Sequence, residues 1–435
     1  MNTPITNPLS SPLTLPSGLV LPNRLVKAAM NENLCGGQKP NEALTALYER
    51  WGQGGAGMLL TGNVMVDYRH LGSPGQLVIE DERDLAALTE MASRAQAKGS
   101  QLVMQLNHPG RQSPDAINAQ PVAPSAVTVE IGGRKNSGYG EPRALTGDEI
   151  QDIIQRFATA ARVAKKAGFA GVEIHGAHGY LVSQFLSPIS NVREDEWGGS
   201  LENRMRFCLG VVQAIRAEVG TDFTVGIKLN SADFQRGGFT EEESMHVVKT
   251  LSEIGMDFIE ISGGTYEATA MMGTDNAGTD KDAKKKDTAA SEAGSEPVKE
   301  STRQREAYFL EYARKVRELV KVPLLLTGGF RSRGALEAAI AEGHIVLAVM
   351  WRPYAEDPDI AQKFLAGESE RSTVEPIQAG KMSGLMELGW YELQMELIAQ
   401  GKAPEPEFNS RKAMLRLGKK DREMRDALAV PRAEG

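Results

Sequence analysis

Short, almost continuously apolar runs alternate with longer amphipathic stretches along most of the chain. Eight runs have this character: RLVKAA (24–29), GMLLTG (57–62), QLVMQL (101–106), GVEIH (171–175), TVGIKL (224–229), DFIEIS (257–262), PLLLTG (323–328) and HIVLAVM (344–350). They are rich in Val, Ile and Leu, as parallel strands covered by helices are. Segments of helical periodicity lie between most of them, among them DERDLAALTEMASRAQAKG, TGDEIQDIIQRFATAARVAKKAG and SLENRMRFCLGVVQAIRAEVG. Thr146 and Glu149 have the spacing of a capping box, and Gly99, Gly168 and Gly220 stand where helices stop. Eight strand–helix repeats predict an α/β fold, a (β/α)8 TIM barrel. The competing fold is an open doubly wound sheet, disfavoured because no G-x-G-x-x-G turn follows an early strand.

Three segments fall outside that rhythm. LTLPSGLVLPNR near the start predicts a hairpin turning at Pro-Ser-Gly, a lid on the bottom of the barrel. Residues 273–304 are poor in apolar side chains and mixed in charge, so they are expected to form a mobile loop insertion. Following the sixth strand, that loop either covers a ligand or is a tolerated surface insertion. Beyond the eighth strand the chain is helical and charged. The expected division is therefore a barrel over residues 1–365 and a C-terminal helical extension over 366–435. The extension packs on the barrel, contacts a second copy in a homo-oligomer, or walls the site.

A net charge of −8 argues against a nucleic-acid or anionic-membrane surface. No apolar run reaches the roughly 20 residues of a membrane span, and the first residues carry no secretion signal. Two cysteines, Cys35 and Cys208, fit a reducing compartment, so a cytoplasmic protein is expected. They cannot supply the four thiolates of an iron–sulfur or zinc cluster.

In a parallel barrel the chemistry gathers at the C-terminal ends of the strands. Those ends carry Ala29-Met30-Asn31, Asn63, Gln105, His175 with His178 and Tyr180, Lys228, Gly328-Gly329, and Trp351-Arg352. Two glycines after the seventh strand and an arginine after the eighth occupy the usual phosphate position of barrels, where backbone N–H groups and a guanidinium hold the anion. Glycine turns also arise for purely structural reasons. The histidines admit three readings. A metal site needs a third ligand, for which Glu173, on the same side of the strand as His175, is the nearest choice; without a Cys or acidic pair the signal is weak. A satisfied structural pair is the second. In the third, both imidazoles donate to one substrate oxygen and Tyr180 delivers a proton.

The stretch HGAHGYLVSQFLSPISNVREDEWGGSLENRMRF (175–207) resembles the long signature of the Old Yellow Enzyme family, the flavin-dependent ene-reductases. LPNRLVKAAM, QLNHPGRQ (105–112) and IKLNSADFQRGGFT (227–240) are similar to supporting stretches, and the likeness runs from about residue 5 to 365. It implies a (β/α)8 barrel holding FMN without a covalent bond and reducing activated alkenes with electrons from NADH or NADPH. By that resemblance Ala28, Ala29 and Met30 run along the isoalloxazine ring, while Asn63 and Gln105 face its polar edge. Lys228 sits near N1 and O2, and Gly328, Gly329 and Arg352 hold the phosphate. His175 and His178 grip the substrate's carbonyl or nitro oxygen, and Tyr180 protonates the α-carbon. Three positions depart from the family pattern. Asn31 stands where threonine or cysteine tunes flavin O4, Trp351 replaces the glycine before Arg352, and Asn33 lies where some subgroups carry an aromatic residue. The cysteine count points to the short single-domain branch.

Overall fold

The computed structural model describes residues 7–131, 134–135, 138–265, 267, 309–374, 377 and 383–428; the 273–304 insertion lies outside them. Eight parallel strands form the barrel: β1 (Leu25–Lys27), β2 (Met58–Leu60), β3 (Gln101–Asn107), β4 (Gly171–Gly176), β5 (Thr224–Asn230), β6 (Phe258–Ser262), β7 (Leu324–Thr327) and β8 (Leu347–Met350). Each coincides with one of the eight apolar runs. Neighbours pair in sequence order, and β8 closes on β1 through Val349 opposite Val26. The open-sheet alternative is thereby removed.

Helices α1 (Glu42–Gln53), α2 (Leu85–Gln96), α3 (Gly147–Lys166), α4 (Leu201–Val219), α5 (Glu241–Glu253), α6 (Leu310–Leu319), α7 (Arg333–Ala341) and α8 (Ile360–Ala366) follow the strands in turn. The expected capping box opens α3: Thr146 Oγ1 accepts from the Glu149 amide, and the Glu149 carboxylate accepts from the Thr146 amide. Gly99, Gly168 and Gly220 all have positive φ, the backbone state that ends a helix most cheaply when no Cβ is present.

Strand alternation sorts the side chains. Leu102, Met104 and Leu106 point outward into the core shared with the helices. Val26, Met58, Leu60, Val103, Phe258, Leu325, Leu347 and Val349 fill the barrel axis. Gly226 makes room for Phe258, because a Cβ there would lie 2.1 Å from the ring. The hairpin pairs Leu13–Thr14 with Val20–Leu21. Its Leu15 and Leu21 join the axial core and Ser17 bonds Thr224 at the start of β5 (2.7 Å), so it does plug the bottom. The mouth at the other end is left for polar groups. Two further helices, α9 (Ser383–Ala399) and α10 (Ser410–Leu428), complete the chain, with α9 packed on α1 and on the short helix Arg352–Glu356. No helix among the described residues is long and apolar enough to cross a membrane.

Candidate active site

β4 ends in the segment that carries His175, His178 and Tyr180. The backbone turns sharply there, with His178 at φ 60°, a left-handed conformation that costs a β-substituted residue energy unless its surroundings enforce it. They do: the His178 amide donates to Asn230 Oδ1 (3.2 Å) and its carbonyl accepts from Gln112 Nε2 (3.1 Å). The turn gathers the three rings. His175 and His178 have centroids 5.1 Å apart, and His175 and Tyr180 4.8 Å apart. Tyr180 sits at the N-terminus of the short helix Leu181–Leu186 and is 8% exposed; His178 is half-buried at the mouth.

Both imidazoles are held well below the usual histidine range, by burial first; His178 and Lys228 add to the effect at His175, and Lys228 at His178. They are neutral at pH 7. His175 Nδ1 accepts from the Ala177 amide (3.3 Å), so in the neutral ring the proton sits on Nε2 and that nitrogen is a hydrogen-bond donor. His178 Nε2 lies 2.8 Å from Ser262 Oγ.

Below the histidines an inward-facing polar layer spans five strands. Gln105 Nε2 donates to Glu173 Oε2 (2.7 Å), Lys228 Nζ pairs with Glu260 Oε1 (2.8 Å), and Thr327 Oγ1 bonds Glu260. Glu173 and Glu260 are fully buried and share a hydrogen bond. Each also has one oxygen that no N–H or hydroxyl of the described residues reaches, so a single proton between the carboxyls satisfies both. Burial and the Glu260 charge push the Glu173 carboxyl well above the carboxylate range. Lys228 holds Glu260 below it, against the opposing effect of burial. Glu173 is thus committed to Gln105 and Glu260, which removes it as a third metal ligand for the histidines. Lys228 is at the expected height in the barrel, but its charge is compensated by Glu260.

Around the rest of the mouth the expected residues divide. Ala28 and Met30 are buried and Ala29 and Asn63 half-buried after β1 and β2. The Asn31 amide is bonded to its neighbours: Nδ2 donates to Ser73 Oγ (3.2 Å) and Glu392 Oε1 (3.4 Å), and Oδ1 accepts from Gln76 Nε2 (3.3 Å). Asn33 likewise donates to Glu392 (2.9 Å) and Asp421 (2.8 Å). Gly328 and Gly329 follow β7, Gly329 exposed with φ 70°. Arg352 follows β8 as expected, yet it is already engaged, with Nε donating to Glu387 Oε1 of α9 (2.9 Å) and the guanidinium 4.5 Å from the Trp351 ring centre. Of the three roles open to the extension, the structure shows the helices packed on the barrel, against the ends of β8 and β1.

The sequence reading passed over Asn107. It is fully buried on the inward face two residues beyond Gln105, and among the described residues neither atom of its amide finds a partner. A ligand edge carrying both a carbonyl and an N–H would satisfy it. The β-strand period starting from Gln105 could have pointed to it. A second cluster, Asp67, His70 and His108, has the composition of a metal site. Asp67 is instead gripped by Arg69 (2.6 Å), and both histidines accept at Nδ1, from Asn118 Nδ2 (3.1 Å) and the Gly110 amide (3.1 Å). Their neutral rings therefore carry the proton on Nε2 and offer a cation no lone pair there.

The chain is similar to known proteins over most of its length. Residues 8–370 match the sequence profile of the NADH:flavin oxidoreductase / NADH oxidase family. The NADH-dependent flavin oxidoreductase iliE of Hypocrea jecorina is 36% identical over 409 residues, 90% of this chain and 96% of that protein. Among solved structures, a 2-naphthoyl-CoA reductase superposes with TM-score 0.72 at 27% identity, over 83% of this chain and 53% of that one. Morphinone reductase superposes with TM-score 0.66 at 25% identity, over 88% and 96%. A barrel with this polar mouth and a profile match over most of its length leave one conclusion: the chain belongs to the NADH:flavin oxidoreductase / NADH oxidase family.

Proposed function

We propose that the protein is an FMN-dependent oxidoreductase that uses NADH or NADPH to reduce the activated C=C bond of α,β-unsaturated carbonyl or nitro compounds. The observation that carries this reading is the neutral His175. Its Nε2–H is a fixed donor beside His178 and 4.8 Å, ring to ring, from a phenol. A donor that needs no reorganisation stabilises negative charge as it builds on the acceptor oxygen of a conjugated alkene.

The residues present suit a flavin. Gln105, Lys228 and Asn107 face inward on β3 and β5, and the Asn107 amide, unpaired among the described residues, would suit a heteroaromatic edge of alternating carbonyl and N–H groups. Ala28, Ala29 and Met30 offer an apolar surface, and Gly328, Gly329 and Arg352 would hold the phosphate. A flavin held by these residues would supply hydride chemistry at the substrate's β-carbon. His175 and His178 orient the substrate through its oxygen, and the Tyr180 hydroxyl gives its proton to the α-carbon and recovers one from solvent. A flavin barrel of this kind could also run in an oxidative or demethylating direction; the reductase names of both superposed structures favour reduction. Two buried, unpaired thiols, Cys35 and Cys208, favour a cytoplasmic setting.

The test is Tyr180→Phe, read by stopped-flow absorbance in two half-reactions. Flavin reduction by NADH should keep its rate, while reoxidation by cyclohexenone under argon slows by about 10²-fold or more, the usual worth of a positioned proton donor. Equal slowing of both half-reactions would sink the assignment. A wild-type protein reoxidised by no conjugated alkene would sink the substrate class.

A further inference from the structure

We propose that the C-terminal helix α9 is part of the anion-binding end of the site, with Glu387 as the residue that positions Arg352 for the flavin phosphate. The inference rests on the reading above, in which Arg352, Gly328 and Gly329 take that phosphate.

Arg352 is held by two groups, the Trp351 ring and the Glu387 carboxylate. Its guanidinium lies 4.5 Å from the centre of the Trp351 ring. Glu387 takes the Nε edge, with Oε1 2.9 Å from Nε and Oε2 3.5 Å from Nη2. Glu387 is itself fixed by the Tyr391 hydroxyl (3.3 Å), and the Tyr391 ring packs 4.9 Å from Trp351. The pair is largely out of solvent, at 14% and 8% side-chain exposure. This grip uses one edge of the fork and leaves Nη1 unpaired among the described residues. The register of β7 with β8, Thr327 opposite Val349, brings the Gly328-Gly329 turn alongside Trp351-Arg352.

Two further observations give the grip a purpose. The first amide of α7, which follows the glycine turn, is not available to an anion, because Arg333 N donates to Glu370 O (2.9 Å). More of the phosphate's charge therefore falls to Arg352. The other end of the α9 contact is pinned as well, with Glu392 one turn and a half further on accepting from Asn31 and Asn33. The carboxylate that aims Arg352 is thus fixed relative to both β8 and β1. An arginine stacked and bonded in advance loses little freedom when it meets phosphate. Glu387 makes no contact with the ligand; it acts through Arg352.

The test uses the full chain stripped of flavin, with affinities for FMN and for riboflavin, which lacks the phosphate, read by flavin fluorescence. Glu387→Ala should weaken FMN binding about tenfold, the usual order for a lost supporting contact, and change riboflavin binding less than about twofold. Glu387→Gln keeps an acceptor for Arg352 Nε and should lose less; it also serves if the alanine variant unfolds. In an Arg352→Ala background, Glu387→Ala should have no further effect. Equal losses for the two flavins, an unchanged or raised FMN affinity, or an effect that persists without Arg352 would each overturn the proposal. If the wild type binds FMN no more tightly than riboflavin, or Arg352→Ala leaves that preference intact, the phosphate assignment itself is overturned.

Discussion

The carboxyl pair inside the barrel makes a quantitative claim about which group carries the charge. Lys228, Glu173 and Glu260 are buried together, with Lys228 Nζ 2.8 Å from Glu260 and one proton held between the two carboxyls. Glu173 is then the neutral partner. Glu173→Gln replaces a neutral acid by a neutral amide that can still accept from Gln105 and donate to Glu260, so it should cost less than about 1 kcal/mol. Glu260→Gln removes the charge facing Lys228, but Glu173 is close enough to ionise in its place. That compensation limits the loss to about 1–3 kcal/mol. The double variant has no substitute, and a buried ammonium without a partner should cost about 3–5 kcal/mol. The loss should exceed the sum of the single changes by about 1–3 kcal/mol. Urea unfolding of the flavin-free chain at pH 7 measures all three. If Glu173→Gln costs more than Glu260→Gln, Glu173 is the ionised group and the assignment is inverted; strict additivity would show that the two carboxyls do not share a proton.

The barrel was readable because its signals are local. Eight apolar runs, a Thr146–Glu149 box and three stop glycines each act over a few residues, and chain connectivity then leaves a closed parallel barrel as the simplest way to bury all of them. The site was readable in outline for the same reason: residues at parallel strand ends share one mouth, so naming the strands nearly names the lining. Pairing was not readable. Lys228 looks like a free cation until the β5–β6 register sets it opposite Glu260. Asn31 and Asn33 look like ligand-facing amides until α9, some 360 residues later, brings Glu392 to them. Arg352 has a neighbour 35 residues on, on a helix with no local mark of it. The tail reads as helical, but α9 carries apolar residues around its whole circumference, so its sequence does not show which strand ends it meets; that contact is settled by the packing of apolar faces from distant segments.

Two further outcomes follow from the site. His175→Ala, read by absorbance titration of the flavin-loaded protein with a para-substituted phenol, should weaken binding by about 1.5–3 kcal/mol, the worth of one hydrogen bond to a phenolate; unchanged affinity would remove His175 from the oxygen-binding pair. The second outcome concerns pH. Burial pushes the Glu392 carboxyl up to about 8; Asp421 adds to this, while Lys420 and the amides of Asn33 and Asn31 oppose it. In the unfolded chain the same group ionises near about 4.3. Between those values the folded protein keeps a proton that the unfolded chain has released, so stability falls as pH rises, by up to about 1.4 kcal/mol per pH unit for this group, and levels off above the folded value. Glu173 contributes a fall of the same sign, so the wild-type profile alone does not separate them. Glu392→Gln does, since it removes one titration and leaves the other. Its stability relative to wild type should climb steadily from pH 5 to pH 8 in urea unfolding and then stay level. Parallel profiles across that range would mean that Glu392 is already ionised in the fold, paired with Lys420 of α10, and that the Asn31 and Asn33 amides of the β1 loop donate to a carboxylate rather than to a neutral acid.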